Sequence, residues 1–206
     1  MRSVTRQRSA APEEASSATI DRIVEAFERL LSGGESFTTI SVEELAREAG
    51  IGRATFYLHF RNKGELVSHL MQRFSSELRA AALAALHKKQ KFGRAEFRAF
   101  MREVVEINFR HHASMRAMVE VAAYDATVAK RFQEFLKSQT ADTRLVMAKL
   151  KESGHAHPEA TPILADILFW TTERTCAQLM TRDATPEKRQ QIADALTHVV
   201  WSAIAR

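Results

Sequence analysis

The sequence predicts an all-α fold of about nine helices, because apolar residues recur at helical spacing through most of the chain. Two further observations support this. Among 206 residues only 7 are Gly and 4 are Pro, so long stretches run without a breaker. The strict apolar–polar alternation of a half-buried strand is scarce. The pattern divides into a basic arm over 1–17, a three-helix helix-turn-helix domain over 18–64 and a larger helical domain over 65–206.

Residues 1–17 are rich in Arg, Ser and Ala, contain Pro12 and have no apolar period, so they are read as a flexible arm. Its Arg2, Arg6 and Arg8 could touch phosphates or enter a minor groove. A helix is expected from about Thr19 to Leu31, with Ile20, Ile23, Val24, Phe27, Leu30 and Leu31 in one stripe, closed by Ser32-Gly33-Gly34. Ser41 is a good N-cap, with Glu44 three residues later to complete a capping box. Val42, Leu45, Ala46 and Ala49 give the next helix an apolar face of mostly small side chains. Gly50 ends it where a positive φ is needed, and Ile51 plugs the angle to the following helix, Arg53 to Phe60. Ala54, Phe56 and Phe60 are assigned inward; Arg53, Thr55, Tyr57 and His59 are left outward. Two short helices across a glycine turn, the second presenting polar groups, make a helix-turn-helix whose second helix reads DNA.

Asn62 caps a further helix, with Glu65 as its capping-box partner, predicted over Lys63 to about Leu86. His87-Lys88-Lys89-Gln90-Lys91 reads as an exposed basic loop. Helices are then expected over Gly93–His111, from a Ser114 cap through Tyr124, and over Val128–Glu152 with Ser153-Gly154 as its stop. The last two, Pro158–Thr181 and Pro186–Ala205, each begin near a proline, which a first turn tolerates.

Side-chain reach assigns the DNA contacts. Arg53 can donate two hydrogen bonds to a guanine edge or clamp a phosphate, and Thr55 can meet a thymine methyl. Tyr57 and His59 suit phosphate contacts that set register. Lys63, with the first backbone N–H groups of its helix, favours a phosphate, and Thr39 and Ser41 could act likewise ahead of theirs. Gly52, at the start of the reader, completes the candidate set.

The segment Gly50-Ile51-Gly52-Arg53-Ala54-Thr55-Phe56-Tyr57-Leu58-His59-Phe60-Arg61-Asn62-Lys63-Gly64-Glu65-Leu66 resembles the signature of the TetR family of bacterial transcriptional regulators. Tyr57, His59, Phe60, Lys63 and Leu66 fall where that pattern wants them; Arg61 stands where many members carry Pro, and Gly64 where Glu or Asp is common. The resemblance is strong over roughly residues 20–70. It implies Tyr57 and Lys63 on the DNA backbone and base reading by the first half of the reader helix. It also implies a homodimer through the last two helices, a palindromic double-stranded DNA operator and release by a small-molecule effector, with repression as the family default.

Apolar stripes carry the dimer expectation: Ile163, Leu164, Ile167, Leu168 and Trp170, then Ile192, Leu196, Val199, Val200 and Ile204. A ligand cavity is expected around Phe97, Met101, Val105 and Phe109, with Phe132, Phe135, Leu136 and Phe169 opposite, a Phe- and Met-rich lining suited to a hydrophobic effector. Filled core is the alternative reading of such stripes. Phe169-Trp170-Thr171-Thr172-Glu173-Arg174 and Leu196-Thr197-His198-Val199-Val200-Trp201 are similar to the ethionamide-resistance repressor subgroup. That subgroup has an apolar tunnel and an Asn before the Glu-Arg pair that hydrogen-bonds the ligand; here Thr172 takes that position.

The net charge of +5 suits an anionic partner. However, residues 1–64 hold 9 basic and 9 acidic side chains, and the surplus lies in 61–116, with 12 against 5. The motif, not the charge, locates the DNA surface. One cysteine, Cys176, excludes an internal disulfide and a Cys-rich zinc site. The absence of an apolar signal region or membrane-length stretch predicts a cytoplasmic protein without a membrane partner. No phosphate loop, nucleophile motif or carboxylate pair suggests an enzyme, and no cofactor is expected. His111-His112 and His155-Ala156-His157 could hold a metal, but such histidines near helix ends are more often exposed. The competing reading is an architectural DNA-binding protein without a ligand.

Overall fold

A computed structural model describes residues 11–86 and 92–205. Among them are nine helices: α1 Ala11–Ser32, α2 Val42–Glu48, α3 Arg53–His59, α4 Lys63–Leu86, α5 Arg94–Arg110, α6 His112–Ala122, α7 Ala126–Glu152, α8 Pro162–Leu179 and α9 Pro186–Ile204. An isolated antiparallel bridge joins Ala156 and Ala205, with the His157 amide donating to the Ile204 carbonyl at 2.7 Å. The chain forms two compact units, 1–66 and 67–206. The expected all-α fold stands, with the division two residues later than the motif suggested.

Four local expectations need correction. Helix α1 starts at Ala11, not Thr19, so part of the expected arm is helical. Periodicity reports a buried stripe, and a solvated helical turn has none; Ala15 and Ala18 are nevertheless good helix formers. Arg2, Arg6 and Arg8, like the basic loop 87–91, lie outside the described residues. Ser114 does not cap α6: His111 takes that position, and Ser114 is buried inside the helix. Helix α8 starts at Pro162 behind a Thr161 cap rather than at Pro158, because the Thr161 hydroxyl accepts from the Leu164 amide at 3.3 Å. Ala54, expected inward, is exposed.

In the first unit, Ile23, Val24 and Phe27 of α1 are buried together with Ile40, Leu45 and Phe56. Each such side chain stabilises the fold by about 1.5–3 kcal/mol relative to exposure. The ring of Phe37 meets Phe27 edge-on at 5.9 Å between centroids. In the second unit α5 packs most extensively on α9, and α7 on both α6 and α8. Their shared core includes Phe97, Met101, Val105, Leu150, Leu168, Leu196 and Val200. Helix α7 closes at Gly154, whose φ of 75° lies in the left-handed region that favours glycine.

Candidate nucleic-acid interface and ligand cavity

The turn between α2 and α3 is built by backbone chemistry. Ala49 caps α2, and Gly50 follows at φ 65°, a conformation strained for any side chain. The Gly50 amide then donates to the Arg47 carbonyl at 3.1 Å and the Ile51 amide to that of Ala46 at 2.9 Å. This pair of reversed bonds satisfies two end carbonyls and turns the chain sharply. Gly52 caps α3, its carbonyl accepting from Thr55 at 2.9 Å. At the other end of α2 the Ser41 hydroxyl accepts from the Glu44 amide at 3.1 Å.

Phe56 anchors α3 in the core and meets Phe60 at 5.7 Å. That fixes which residues face out. Tyr57 is 45% exposed, its ring edge-on to Phe56, and Arg53 stacks over it at 5.6 Å from the centroid. Arg53 also pairs with Glu43 of α2. Tyr57 and Glu43 both favour the guanidinium charge, Tyr57 the more strongly. Water screens such an exposed pair, so Arg53 can exchange Glu43 for a base or phosphate at little cost. His59 and Thr55 are half-buried, and Thr39 and Ser41 are exposed. The Thr39 hydroxyl donates to the Ser36 carbonyl at 2.9 Å.

Lys63 has a different environment from the other candidates. Its ammonium donates to the carbonyls of Phe37 at 2.8 Å and Ile40 at 2.6 Å, and sits 4.7 Å from the centroid of the Phe37 ring. Loss of water on burial lowers its pKa from the ordinary lysine range. Lys63 thus ties the loop ahead of α2 to the start of α4. At that start, Asn62 Oδ1 accepts from the Glu65 amide at 2.9 Å, while Glu65 reaches the Arg61 amide at 2.7 Å.

A cavity of about 310 Å³ lies in the second unit, bounded by α4, α5, α7, α8 and α9. Phe97, Phe100, Met101, Val104, Val146 and Phe169 supply much of its apolar wall. Asn108, Gln139, Thr172 and Glu173 supply polar atoms.

Residues 31–70 match the family described as bacterial regulatory proteins, tetR family. The likeness to that family covers residues 31–70, and with them α2, α3 and the start of α4. Solved structures extend the likeness to the complete fold. The TetR-family regulator PfmR of Thermus thermophilus is 17% identical with a TM-score of 0.67, covering 90% of this chain and 100% of its own. Salmonella enterica GusR is 13% identical at 0.69, covering 90% and 95%. The SmeT–triclosan complex is 19% identical at 0.71, covering 92% of each chain. At these identities the likeness is one of fold.

Within this TetR-type architecture the expected site residues separate into groups. The DNA candidates Thr39, Ser41, Gly52, Arg53, Thr55, Tyr57, His59 and Lys63 all lie in the first unit, on or flanking α2 and α3. Leu58, passed over in the sequence, is 82% exposed on α3. The signal was available, because Phe56 and Phe60 facing inward leave Leu58 between them facing out. Among the ligand candidates, Phe97, Met101, Phe169 and Thr172 line the cavity. Val105 is buried in the core, Phe109 lies beneath the Arg189 guanidinium at 4.1 Å, and Leu136 is half-buried on α7 outside the lining. Asn108 was detectable as a polar residue seven positions after Met101, in the stripe that also holds Val104.

The proposed dimer stripe also narrows. Leu168, Ile192, Leu196, Val200 and Ile204 are buried within the second unit and complete its core. Ile163, Ile167, Trp170 and Val199 remain 64%, 55%, 44% and 48% exposed. Spacings of four and three put Ile163, Ile167 and Trp170 on one face of α8. Among the described residues no group of three metal-ligating side chains could hold an ion, and no helix is long and apolar enough to cross a membrane. Cys176 is buried, its thiol pushed up to about 12 by loss of water and the nearby Glu173, a range in which it is not nucleophilic.

Proposed function

We propose that this chain is a cytoplasmic transcriptional repressor that binds a palindromic operator as a homodimer and is released by an apolar small molecule. The outward face of α3 carries the reading: Arg53, Tyr57, Leu58 and His59 project from a helix locked by Phe56 behind a glycine turn. Thr55 and Gly52 approach base edges at its start, and Thr39 and Ser41 meet phosphates ahead of α2. Lys63 supports this face through the two carbonyls it holds.

A single module buries little surface, so specific binding calls for two readers about 34–36 Å apart, one duplex turn. The exposed stripe Ile163, Ile167 and Trp170, with Val199, supports pairing through α8 and α9. The cavity supports an effector site, and so does the likeness to SmeT, whose structure holds triclosan. The resemblance to the ethionamide-resistance repressor subgroup adds Thr172 as a single hydrogen-bonding group on the cavity wall. Release follows if the effector favours the arrangement in which the two readers are out of register with the duplex.

The test is fluorescence anisotropy with DNA from immediately upstream of its own coding sequence, at about 0.15 M salt and with scrambled competitor. A regulator should prefer its operator by ~10³ or more over bulk DNA, and Tyr57→Ala should weaken that binding. Weak preference at every site, with a steep salt dependence, would favour the architectural reading instead.

A further inference from the structure

The polar groups lining the cavity differ in what they leave unmade. Arg79 and Asp142 reach the lining but bind each other, Nη2 to Oδ2 at 2.7 Å. Thr143 donates to the Gln139 carbonyl at 3.0 Å. Asn108 turns its amide nitrogen to the Val104 carbonyl at 2.8 Å, and Gln139 turns its own to the Ser75 hydroxyl at 2.8 Å. Each amide leaves over its carbonyl oxygen, an acceptor, together with its second N–H.

Glu173 adds a charged acceptor. Its Oε2 is buried without a hydrogen-bond partner. Arg174 Nε lies 4.0 Å from it, outside hydrogen-bonding range, on a side chain 68% exposed to solvent. Loss of water holds the Glu173 carboxyl above the ordinary range, partly opposed by Arg174. The Glu173 side chain keeps 21% exposure, but its buried oxygen accepts no hydrogen bond from its own protein, and that costs stability unless something else supplies a donor. Lys149 also reaches the lining but is exposed, where water already solvates it.

We infer that the cavity takes an amphipathic cation, an amine with an apolar body, whose N–H groups meet Glu173 and the carbonyl oxygens of Asn108 and Gln139. Phe97, Met101 and Phe169 pack the body. The ammonium or amidinium end gives Glu173 the charge-assisted hydrogen bond that the protein leaves unmade. This assignment rests on the effector-cavity reading above and narrows it from apolar ligands in general to cationic ones.

Calorimetric titration of the full chain with phenylbutylamine, phenylbutanol and phenylbutyrate tests the assignment, since the three share one apolar body and differ in the head. The amine should bind at least about tenfold more tightly than the alcohol, the factor that ~1.4 kcal/mol represents. The carboxylate should bind weakest. Glu173→Gln should abolish the preference for the amine and leave the alcohol little changed. Equal binding of amine and alcohol, or a preference that survives Glu173→Gln, would overturn the cation assignment while the effector cavity stands. Absence of binding by all three would remove the cavity reading and the assignment with it. Should Glu173→Gln fail to fold, the ranking on the unaltered protein still decides.

Discussion

Removing the Lys63 ammonium should loosen the first unit before it affects DNA. In Lys63→Ala the carbonyls of Phe37 and Ile40 lose donors at 2.8 and 2.6 Å, and the Phe37 ring loses a cation at 4.7 Å. A hydrogen bond to a charged group contributes about 1.5–3 kcal/mol, and a partly desolvated cation–π contact about 0.5–1 kcal/mol. Lys63 is only half-buried, so water can replace part of what is lost, and we expect a net cost of about 2 kcal/mol. Hydrogen–deuterium exchange resolves the cost locally: amides of residues 37–49 should open about thirtyfold more often, while α5–α9 stay unchanged. Lys63→Met keeps the aliphatic stem but not the donors, and should lose nearly as much. Operator binding by the same variants separates support from direct contact. If Lys63 only positions α2, affinity falls with the slope of log K against log salt unchanged; a phosphate contact would lower that slope by about 0.9. Unaltered exchange over 37–49 in Lys63→Ala would refute the positioning argument.

Leu58→Ala should leave stability within about 0.5 kcal/mol, since the side chain is solvated, yet weaken operator binding by about 1 kcal/mol through a lost apolar contact in the groove. Unchanged operator affinity would remove Leu58 from the reading face. Ile167→Glu introduces a charge into the exposed stripe of α8; sedimentation should show the monomer, with specific DNA binding lost and the helical spectrum retained. A stable dimer in that variant would move the interface elsewhere. Glu173 gives a pH signature in the ligand-free protein. Its folded pKa is raised, so its contribution is fully present below the unfolded carboxylate pKa and is lost as pH rises through the folded value. The protein should therefore lose stability relative to Glu173→Gln as pH rises through and just above the ordinary glutamate range, measured by denaturant unfolding at matched ionic strength. Parallel pH profiles for the two proteins would contradict that.

Local chemistry made the helix-turn-helix unit legible in the sequence. Ser41, Gly50 and Asn62 act on neighbours within a few residues, and their roles follow from side-chain oxygens and a positive φ alone. Phe56 and Phe60 could be placed inward because one short helix has only one face to bury. The same reasoning failed for α1, where a solvated turn has helical propensity but no stripe to announce it.

What tertiary structure decided lies between helices far apart in sequence. Periodicity showed that Phe97, Val105, Phe109 and Leu196 belong to apolar faces, but not whether a face meets a neighbour or a void. Packing put Phe97 on the cavity wall, Val105 and Leu196 in filled core and Phe109 beneath Arg189, because the outcome depends on how five helices converge. Lys63 has the same limitation. By sequence it is a cation at a helix start, open to a phosphate; only the fold brings the Phe37 and Ile40 carbonyls to its ammonium across more than twenty residues. The sequence by itself determined the helices, the turn and the outward face of α3, since those interactions are short-range. The cavity, the unpartnered oxygen of Glu173 and the loop held by Lys63 were decided by tertiary structure, since desolvation and pairing depend on which distant groups close over an atom.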